Sequence, residues 1–241
     1  MTVAHNSIAG VEDDVRSTGF AFRSRFAMGQ ILNGDAMAHW DTFAESWNDL
    51  GPDTYMADGG RYRRRRYAAF AVAAGKVERK THQPHYQSRD YNPLNGGIAR
   101  WFEPVTDAIS DHPVTLDLLT LCNGLFDRLQ GSPKTWHVEM HQFRIEAGTG
   151  EVGRPTPEGP HRDGVDWVLV LLVNRYKVSR GTTEIYDRDH KPLGEFTLTD
   201  PTDAVFVDDS RIFHGVTPIQ PMEPGSPGFR DVLVLTYRRE L

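Results

Sequence analysis

The chain is nearly free of cysteine: it has one, Cys122, among 241 residues. A disulfide needs two cysteines, so none can form within the chain. Cys122 lies beside Leu121 in an apolar stretch, a setting typical of a small buried hydrophobe. We therefore expect Cys122 to pack in the core rather than to act as a nucleophile.

The chain also lacks long apolar runs and an excess of positive charge. No apolar run approaches the length of about 20 residues that a membrane-spanning helix needs, and residues 1–10 lack the basic start and apolar stretch of a signal peptide. The net charge is −6, which disfavours a general nucleic-acid binder. These features predict a cytoplasmic protein with neither a membrane nor nucleic acid as a partner.

The first half of the chain predicts helices with strands between them. Residues 35–50 carry apolar side chains at helical spacing up to a Gly-Pro stop, and residues 113–129 carry a similar stripe after a proline suited to a first helical turn. Residues 62–73 and 77–86 are predicted strands.

From Trp136 onward the pattern changes to short strands separated by turns. The predicted strands are residues 136–147, 167–174, 182–187, 194–199, 204–207, 212–217 and 231–237. Strands in series without intervening helices favour an antiparallel jelly roll. We predict a mainly β, α+β protein with helical support, folded as a cupin-like double-stranded β-helix. It forms a single domain over residues 1–241, in which residues 1–135 are a helix-rich support with flanking strands and residues 136–241 are the core that carries the metal site.

A set of metal-ligand side chains stands out in this core. His161 and Asp163 are two residues apart, so both side chains leave the same face of an extended chain. His214 follows on a later predicted strand, which a jelly roll can return beside the first. Two imidazoles and one carboxylate suit Fe(II) and leave positions open for a co-substrate and oxygen. The alternative is that these residues are ordinary turn caps or surface pairs.

A competing set, His137, Glu139 and His141, alternates along one predicted strand. Residues four apart on a strand are separated by about 13 Å, so both histidines cannot reach one metal. We expect these groups to line a cavity or to face solvent.

Arg230 opens the last predicted strand. A guanidinium matches a carboxylate with two parallel hydrogen bonds, so Arg230 is a candidate clamp for the distal carboxylate of 2-oxoglutarate. The alternatives are a salt bridge with Asp231 or a solvated side chain, and Arg238 and Arg239 are fallback clamps.

Four segments of the chain resemble the bacterial Fe(II)/2-oxoglutarate dioxygenases that hydroxylate free L-amino acids (L-isoleucine 4-hydroxylase-like). They are Met140-His141-Gln142-Phe143-Arg144, His161-Arg162-Asp163, Phe213-His214-Gly215-Val216-Thr217-Pro218 and Phe229-Arg230-Asp231-Val232-Leu233. The resemblance runs from about residue 61 to residue 237. It implies a double-stranded β-helix with iron held by His161, Asp163 and His214, 2-oxoglutarate held by Arg230, and O2 as the second co-substrate. Val232 stands where many members of the wider superfamily have a hydroxyl residue, so a second hydrogen bond to the distal carboxylate must come from elsewhere.

On this interpretation the partner is a small-molecule substrate, a free aliphatic L-amino acid hydroxylated at an unactivated C–H bond with release of succinate and CO2. Gln142 and Arg144 are candidate substrate residues, with the run 63–66 as further candidates for its carboxylate. The loop 148–160 is a candidate lid or an ordinary surface loop. A homodimer is left open as the assembly. The alternative functions are an oxygenase acting on a protein or peptide side chain and a non-catalytic jelly-roll binding module.

Overall fold

The computed structural model describes residues 7–148 and 152–240 of the chain. Within these ranges the α-helices are α1 (Ile8–Thr18), α2 (Arg25–Met28), α3 (Gly34–Met37), α4 (Trp40–Glu45), α5 (Asp107–Ser110) and α6 (Pro113–Gln130), and Ser46–Asp49 is a 3₁₀ helix. The strands are β1 (Phe20–Arg23), β2 (Arg63–Ala73), β3 (Lys76–Arg79), β4 (Trp136–Ala147), β5 (Trp167–Tyr176), β6 (Val178–Arg180), β7 (Thr182–Tyr186), β8 (Pro192–Thr197), β9 (Ala204–Asp208), β10 (Phe213–Val216), β11 (Ile219–Pro221) and β12 (Gly228–Arg239).

Two antiparallel sheets face each other. The major sheet has the order β1-β9-β5-β12-β4-β2-β3, and the minor sheet has the order β10-β7-β8; β11 and β6 form a further pair. Val168 of β5 and Val205 of β9 pack in one apolar cluster with Ile185 of β7 and Phe196 of β8. This pairing of sheets, with strands outnumbering helices, agrees with the predicted double-stranded β-helix.

The major sheet has one dry face and one face that lines a cavity. Trp136, Val138 and Met140 of β4 are fully buried in the main core with residues of α6, among them Cys122, which is 0% exposed as predicted. Burial raises the pKa of the Cys122 thiol. Because strand side chains alternate between faces, the residues between these three point to the opposite side, into the cavity.

The helix α6 agrees with its sequence signals at both ends. Pro113 occupies the first turn, and Gly131 ends the helix with a φ of 80°, a left-handed conformation that glycine adopts without steric cost. The cap is the imidazole of His112, whose Nδ1 accepts from the backbone N–H of Val114. In the described part of the chain no helix combines the length and apolar character of a bilayer-spanning segment.

Two predicted elements differ from the structure. Residues 35–50 form two short helices and a 3₁₀ turn rather than one helix, because the backbone leaves the helical region at His39 (φ −101°, ψ 11°). The final turn lets the indole N–H of Trp47 donate to the carbonyl of Phe143 over 3.1 Å. The strand predicted over residues 77–86 ends at Arg79, and His85 pairs instead with Arg100 in an isolated bridge.

Candidate active site

His161, Asp163 and His214 meet between the two sheets. His161 and His214 exchange two backbone hydrogen bonds of 2.9 Å, which sets their ring centroids 4.7 Å apart. One carboxylate oxygen of Asp163 lies 3.6 Å from Nε2 of His161, and the other lies 3.6 Å from Nε2 of His214. The structure therefore brings the predicted triad together although fifty residues separate its members.

Neighbouring groups orient the triad. Nδ1 of His161 lies 3.1 Å from the carbonyl oxygen of Gly159, which directs the proton to that nitrogen and leaves Nε2 facing Asp163. The carboxylate of Asp209, which is 0% exposed, accepts from the backbone N–H groups of Asp163, Gly164 and Val165 over 2.8 to 3.0 Å. Asp209 thus holds the turn that presents Asp163. Sequence reasoning missed this role of Asp209.

The charges of the triad favour a cation. Burial by itself would lower the pKa of His161, but Asp163 raises it to about 9. Burial and the neighbouring His161 lower the pKa of His214 to about 4. Burial opposes ionisation of Asp163, yet hydrogen bonding and the charge of His161 hold the pKa of that carboxyl well below its usual range. The carboxylate of Asp163 is therefore charged, and a divalent metal held between it and the two imidazoles would neutralise that charge.

The donor set fits Fe(II). The ligand atoms of the three residues lie within 4.8 Å of one another. Donors of an octahedral metal with bonds of about 2.1 Å are about 3.0 Å apart, close to the observed 3.6 Å spacing. A two-histidine, one-carboxylate face is the arrangement that non-haem Fe(II) oxygenases use.

A cavity of about 170 Å³ adjoins the triad. Alternate residues of three neighbouring strands form one wall, since β2 and β12 both pair with β4 in register. Loops around residues 85–100 and 155–165 and the strand β10 complete it. The wall residues from the three strands are Arg63, Arg65, His137, Glu139, His141, Phe143, Ile145, Arg230, Val232, Val234, Thr236 and Arg238.

Arg230 marks one cationic end of this cavity. Its side chain is 2% exposed, and its Nε and one terminal nitrogen have no hydrogen-bond partner among the described residues. Burial, with the charge of Arg175 beside it, lowers the pKa of Arg230 to about 10. Gly181 lies against both arginines: a Cβ at this position would lie 3.3 Å from a terminal nitrogen of Arg175 and 3.8 Å from Cδ of Arg230. Two guanidinium groups held this close create a site for an anion.

A second cluster of potential ligands lies in the same cavity: His85, Glu139 and His141. Glu139 accepts a 2.8 Å hydrogen bond from the hydroxyl of Tyr67, and Nδ1 of His85 lies 3.0 Å from its other oxygen. His137 lies 3.6 Å from the carboxylate. Of the two alternatives that the sequence left for His137, Glu139 and His141, a cavity wall or solvent, the structure shows the cavity wall. The sequence contains no signal that His85 would join them.

Hydrogen bonding argues against a metal in this second cluster. Arg65 donates to Nδ1 of His141 over 2.7 Å, so the ring proton of a neutral His141 is on Nε2, the nitrogen that faces Glu139. Burial lowers the pKa of His141 to about 3, which keeps the ring neutral. Neither nitrogen of His141 is then free to bind a metal. We interpret the cluster as a hydrogen-bonded setting for the Glu139 carboxylate.

The structure does not place Gln142 and Arg144 where they were predicted to be, at the substrate cavity. Both lie on the face of β4 that points away from the cavity. Gln142 donates to the hydroxyl of Ser46 over 2.9 Å, and Arg144 makes a two-pronged ion pair with the buried Asp231 at 2.7 Å. The strand period assigned the two residues to one face correctly, but only the packing of the sheet decides which face lines the cavity.

The arginine run divides between the two faces of β2. Arg63 and Arg65 line the cavity, whereas Arg64 and Arg66 point outward and pair with Glu146 and Asp49. Arg65 lies over the rings of Phe102 and Phe143, 3.5 and 4.4 Å from their centroids.

The remaining predicted positions have separate surroundings. Arg238 lines the cavity far from Arg230 along β12, and the half-exposed Arg239 pairs with Asp166. Of the candidate lid, residues 149–151 lie outside the described ranges, while Thr156 and Glu158 line the cavity next to the triad.

A family model described as 2OG-Fe dioxygenase matches residues 44–236. The chain is similar to an L-isoleucine-4-hydroxylase of Bacillus thuringiensis, with 24% identity over 64% of this chain and 64% of that protein. It is also similar to a 3(1)-hydroxy-L-isoleucine 4-dioxygenase of Pantoea ananatis, with 24% identity over 92% of this chain and 90% of the relative.

Solved structures resemble the whole described fold. The crystal structure of a BsmA homologue from Methylobium petroleophilum has a TM-score of 0.85 and 37% identity, covering 97% of this chain and 93% of that one. The structure of IDO from Bacillus thuringiensis has a TM-score of 0.80 at 18% identity, covering 97% of this chain and all of the other, and shows a shared fold.

Proposed function

The chain belongs to the 2OG-Fe dioxygenase family, and from that premise we propose that it hydroxylates an unactivated C–H bond of a free aliphatic L-amino acid. Fe(II), 2-oxoglutarate and O2 are the cofactor and co-substrates of this family. One observation carries the proposal: the His161, Asp163 and His214 cluster and the unpaired guanidinium of Arg230 belong to the same cavity.

His161, Asp163 and His214 are the residues that would hold the iron. Two neutral imidazoles and one carboxylate would neutralise one of the two charges of Fe(II) and would leave part of its coordination sphere open. Asp209 keeps the turn at Asp163 in place through three backbone hydrogen bonds. The protein thereby contributes ligands whose positions are set before the metal arrives.

Arg230 would bind the distal carboxylate of 2-oxoglutarate. The two unpaired nitrogens of its buried side chain match the two carboxylate oxygens. Arg175, which also has a buried terminal nitrogen without a partner among the described residues, is the candidate for the second donor that the sequence left unnamed. When bound, the iron and 2-oxoglutarate supply the chemistry: O2 is consumed, 2-oxoglutarate becomes succinate and CO2, and one oxygen atom enters the substrate.

The cavity supports a small substrate. Strands and loops surround it, with Val170, Val232 and Val234 as apolar wall residues that keep water away from an aliphatic chain. The two curated relatives act, by their names, on isoleucine and on a hydroxylated isoleucine. A substrate of this class needs both an apolar pocket and charged groups for its two ends.

The test begins with anaerobic titration of the purified protein with Fe(II) and 2-oxoglutarate. A visible charge-transfer absorption of the iron–keto-acid chelate is expected for the wild type and for His39→Ala, which changes an exposed histidine outside the cavity. The absorption should be lost in His161→Ala. If the wild type shows no absorption, the protein is a binding module rather than an oxygenase.

The second part of the test identifies the substrate. Free L-amino acids and short peptides are screened for succinate release and for a product heavier by one oxygen atom. We expect aliphatic L-amino acids to give both signals. Succinate release that depends only on peptides would move the proposal to side-chain hydroxylation.

A further inference from the structure

Glu139 is a carboxylate on the cavity wall with no cationic side chain in contact. Its polar neighbours are the hydroxyl of Tyr67 at 2.8 Å, His85 at 3.0 Å and two more distant histidines, His137 and His141. In the part of the chain that the structure describes, no lysine or arginine lies within ion-pair distance of it. Hydrogen-bond donors thus fix the carboxylate in place and leave its negative charge uncompensated by direct contact.

The ionisation of this group follows from the same contacts. Burial is the largest single effect on Glu139 and opposes its charge, but the charge of His85 and the hydrogen bonds from His85, His137 and His141 together outweigh it, so the pKa of the carboxyl lies well below its ordinary value. Burial lowers the pKa of both His85 and His141, so these rings are neutral donors at pH 7. The cluster therefore presents one negative charge to the cavity.

Arg100 is a buried cation that, among the described residues, likewise lacks an ion-pair partner. It is 2% exposed, its Nε and one terminal nitrogen lack hydrogen-bond partners, and no carboxylate within the described ranges forms an ion pair with it. Arg63 lies near it and also has an unpaired terminal nitrogen, since its Nε alone is used by Asp53. Buried guanidinium nitrogens without partners are costly, and a bound anion would satisfy them.

These groups lie on one side of the cavity. Arg100 and His85 exchange backbone hydrogen bonds of 3.0 and 2.9 Å, and His85 in turn contacts Glu139. Burial lowers the pKa of Arg100, and the nearby charges that act on it are, in decreasing order, those of Arg63, Asp53, Glu158 and Glu139. Arg230, at the end assigned to 2-oxoglutarate, shows no such interaction with Arg63 or Arg100, and its charged neighbours are Arg175 and Asp231.

We propose that this side of the cavity is a zwitterion subsite, in which Arg100 and Arg63 bind the α-carboxylate of the substrate and Glu139 accepts from its α-ammonium group. The proposal rests on the amino-acid oxygenase function proposed above and adds the residues that select the substrate class. An internal residue of a peptide has neither a free carboxylate nor a free ammonium group and would leave both ends unpaired. A subsite of this kind discriminates strongly against a compound that lacks the carboxylate or the ammonium group. An apolar pocket discriminates less strongly against a compound that lacks one methyl group.

The experiment measures binding without turnover. Protein loaded with Zn(II) and 2-oxoglutarate is titrated calorimetrically with L-isoleucine, L-leucine and L-valine. For the tightest of these, the deaminated acid and the primary amide are titrated as well. The variants are Glu139→Gln and Arg100→Met, with Arg100→Lys to retain the charge. The controls are Glu146→Gln in β4 and Arg64→Met in β2, which change two residues that lie outside the cavity and pair with each other.

Each variant has its own expected pattern. Glu139→Gln should weaken binding of the amino acid by about 10- to 100-fold, the range of a charge-assisted hydrogen bond, and leave the deaminated acid unchanged. Arg100→Met should weaken the amino acid and the deaminated acid by a similar factor but not the amide, and Arg100→Lys should restore part of the loss. Neither variant should change the affinity for 2-oxoglutarate by more than about twofold, and the controls should match the wild type.

The outcomes distinguish failure of the proposed subsite from failure of the proposed amino-acid oxygenase function. Equal losses for all three probes would mean that the residues act on the structure of the pocket, and weaker 2-oxoglutarate binding would move Arg100 to the co-substrate; either result overturns the subsite. Unchanged amino-acid binding in both variants overturns it too, while leaving the amino-acid oxygenase intact. If the wild type binds 2-oxoglutarate but none of the amino acids, the proposed substrate class and the subsite fail together.

Discussion

Replacing Arg230 by methionine should weaken 2-oxoglutarate binding and, at the same time, stabilise the protein in its absence. The two effects have one cause: the guanidinium is fully buried beside Arg175 and has two nitrogens without partners among the described residues. The buried guanidinium lowers the free energy of unfolding of the anion-free protein, and it contributes favourable interactions only when an anion binds.

The size of the stabilisation follows from the charge. The pKa of Arg230 falls from 12.5 to about 10, which at about 1.4 kcal/mol for each pH unit corresponds to about 3 kcal/mol against the buried charge. Methionine fills less space than arginine, and lost packing reduces the gain by about 1 kcal/mol. The free energy of unfolding should therefore rise by about 1–3 kcal/mol.

The loss of affinity is larger. Two charge-assisted hydrogen bonds to a carboxylate contribute about 1.5–3 kcal/mol each, which corresponds to a dissociation constant for 2-oxoglutarate raised by about 10²- to 10⁴-fold. Calorimetric titration of the Zn(II)-loaded protein measures this constant, and urea unfolding without 2-oxoglutarate measures stability. Arg64→Met, at an outward-facing arginine, should change neither quantity by much.

Two results would refute this reasoning. Unchanged 2-oxoglutarate affinity in Arg230→Met would remove Arg230 from the co-substrate site. A loss of stability greater than about 1 kcal/mol would show that the guanidinium has partners in the free protein that stabilise it.

Three further predictions concern the metal site and the histidines. Asp209→Asn removes part of the acceptor capacity for three backbone N–H groups at Asp163, so metal affinity in a competition titration should fall by about 10- to 100-fold. An unchanged affinity would mean that the turn holds without the Asp209 carboxyl group. The pKa of His141 is about 3 in the folded protein and 6.5 in the unfolded chain, so between these pH values the ring binds a proton only when the protein unfolds. Its contribution to stability is therefore complete above about pH 6.5. As the pH falls toward 3, the protein loses about 1.4 kcal/mol of this stability for each pH unit. Urea unfolding of His141→Gln as a function of pH should show a shallower acid limb, and a limb parallel to that of the wild type would contradict the assignment. Adding a chelator to the Fe(II)- or Zn(II)-loaded protein should lower stability by about 3 kcal/mol where the metal was present at about 100 times its dissociation constant, whereas His161→Ala should unfold identically with and without chelator.

Local chemistry made much of the fold readable in the sequence. The bounds of β4 and α6 agree with their predicted ranges almost to the residue, because a period of two and a capped helical stripe are properties of short segments. The predicted helix over residues 35–50 failed because tertiary contacts outweighed its periodicity: the chain breaks at His39 and turns so that Trp47 reaches β4.

The candidate metal site was predictable to a similar degree. His161 and Asp163 are neighbours on an extended chain, and His214 follows a strand that a jelly roll must return to them, so residue type and spacing were enough to predict that they would meet. The buried position of Arg230 at the cavity is compatible with the predicted clamp, but its role toward 2-oxoglutarate stays a prediction.

The sequence by itself determined which residues share a face of each strand, and tertiary structure alone decided which face surrounds the cavity. Gln142 and Arg144 were predicted to contact the substrate, with His141 on the opposite face of β4. In the structure, the face of β4 that carries Gln142 packs in the dry core against α6, and the face that carries His141 lines the cavity. His85, Arg100 and Asp209 have no local signal, since their roles depend on loops that fold back against the sheets and on contacts between residues far apart in the chain. Periodicity is a local property of the backbone, whereas the side that stays dry depends on everything packed against it.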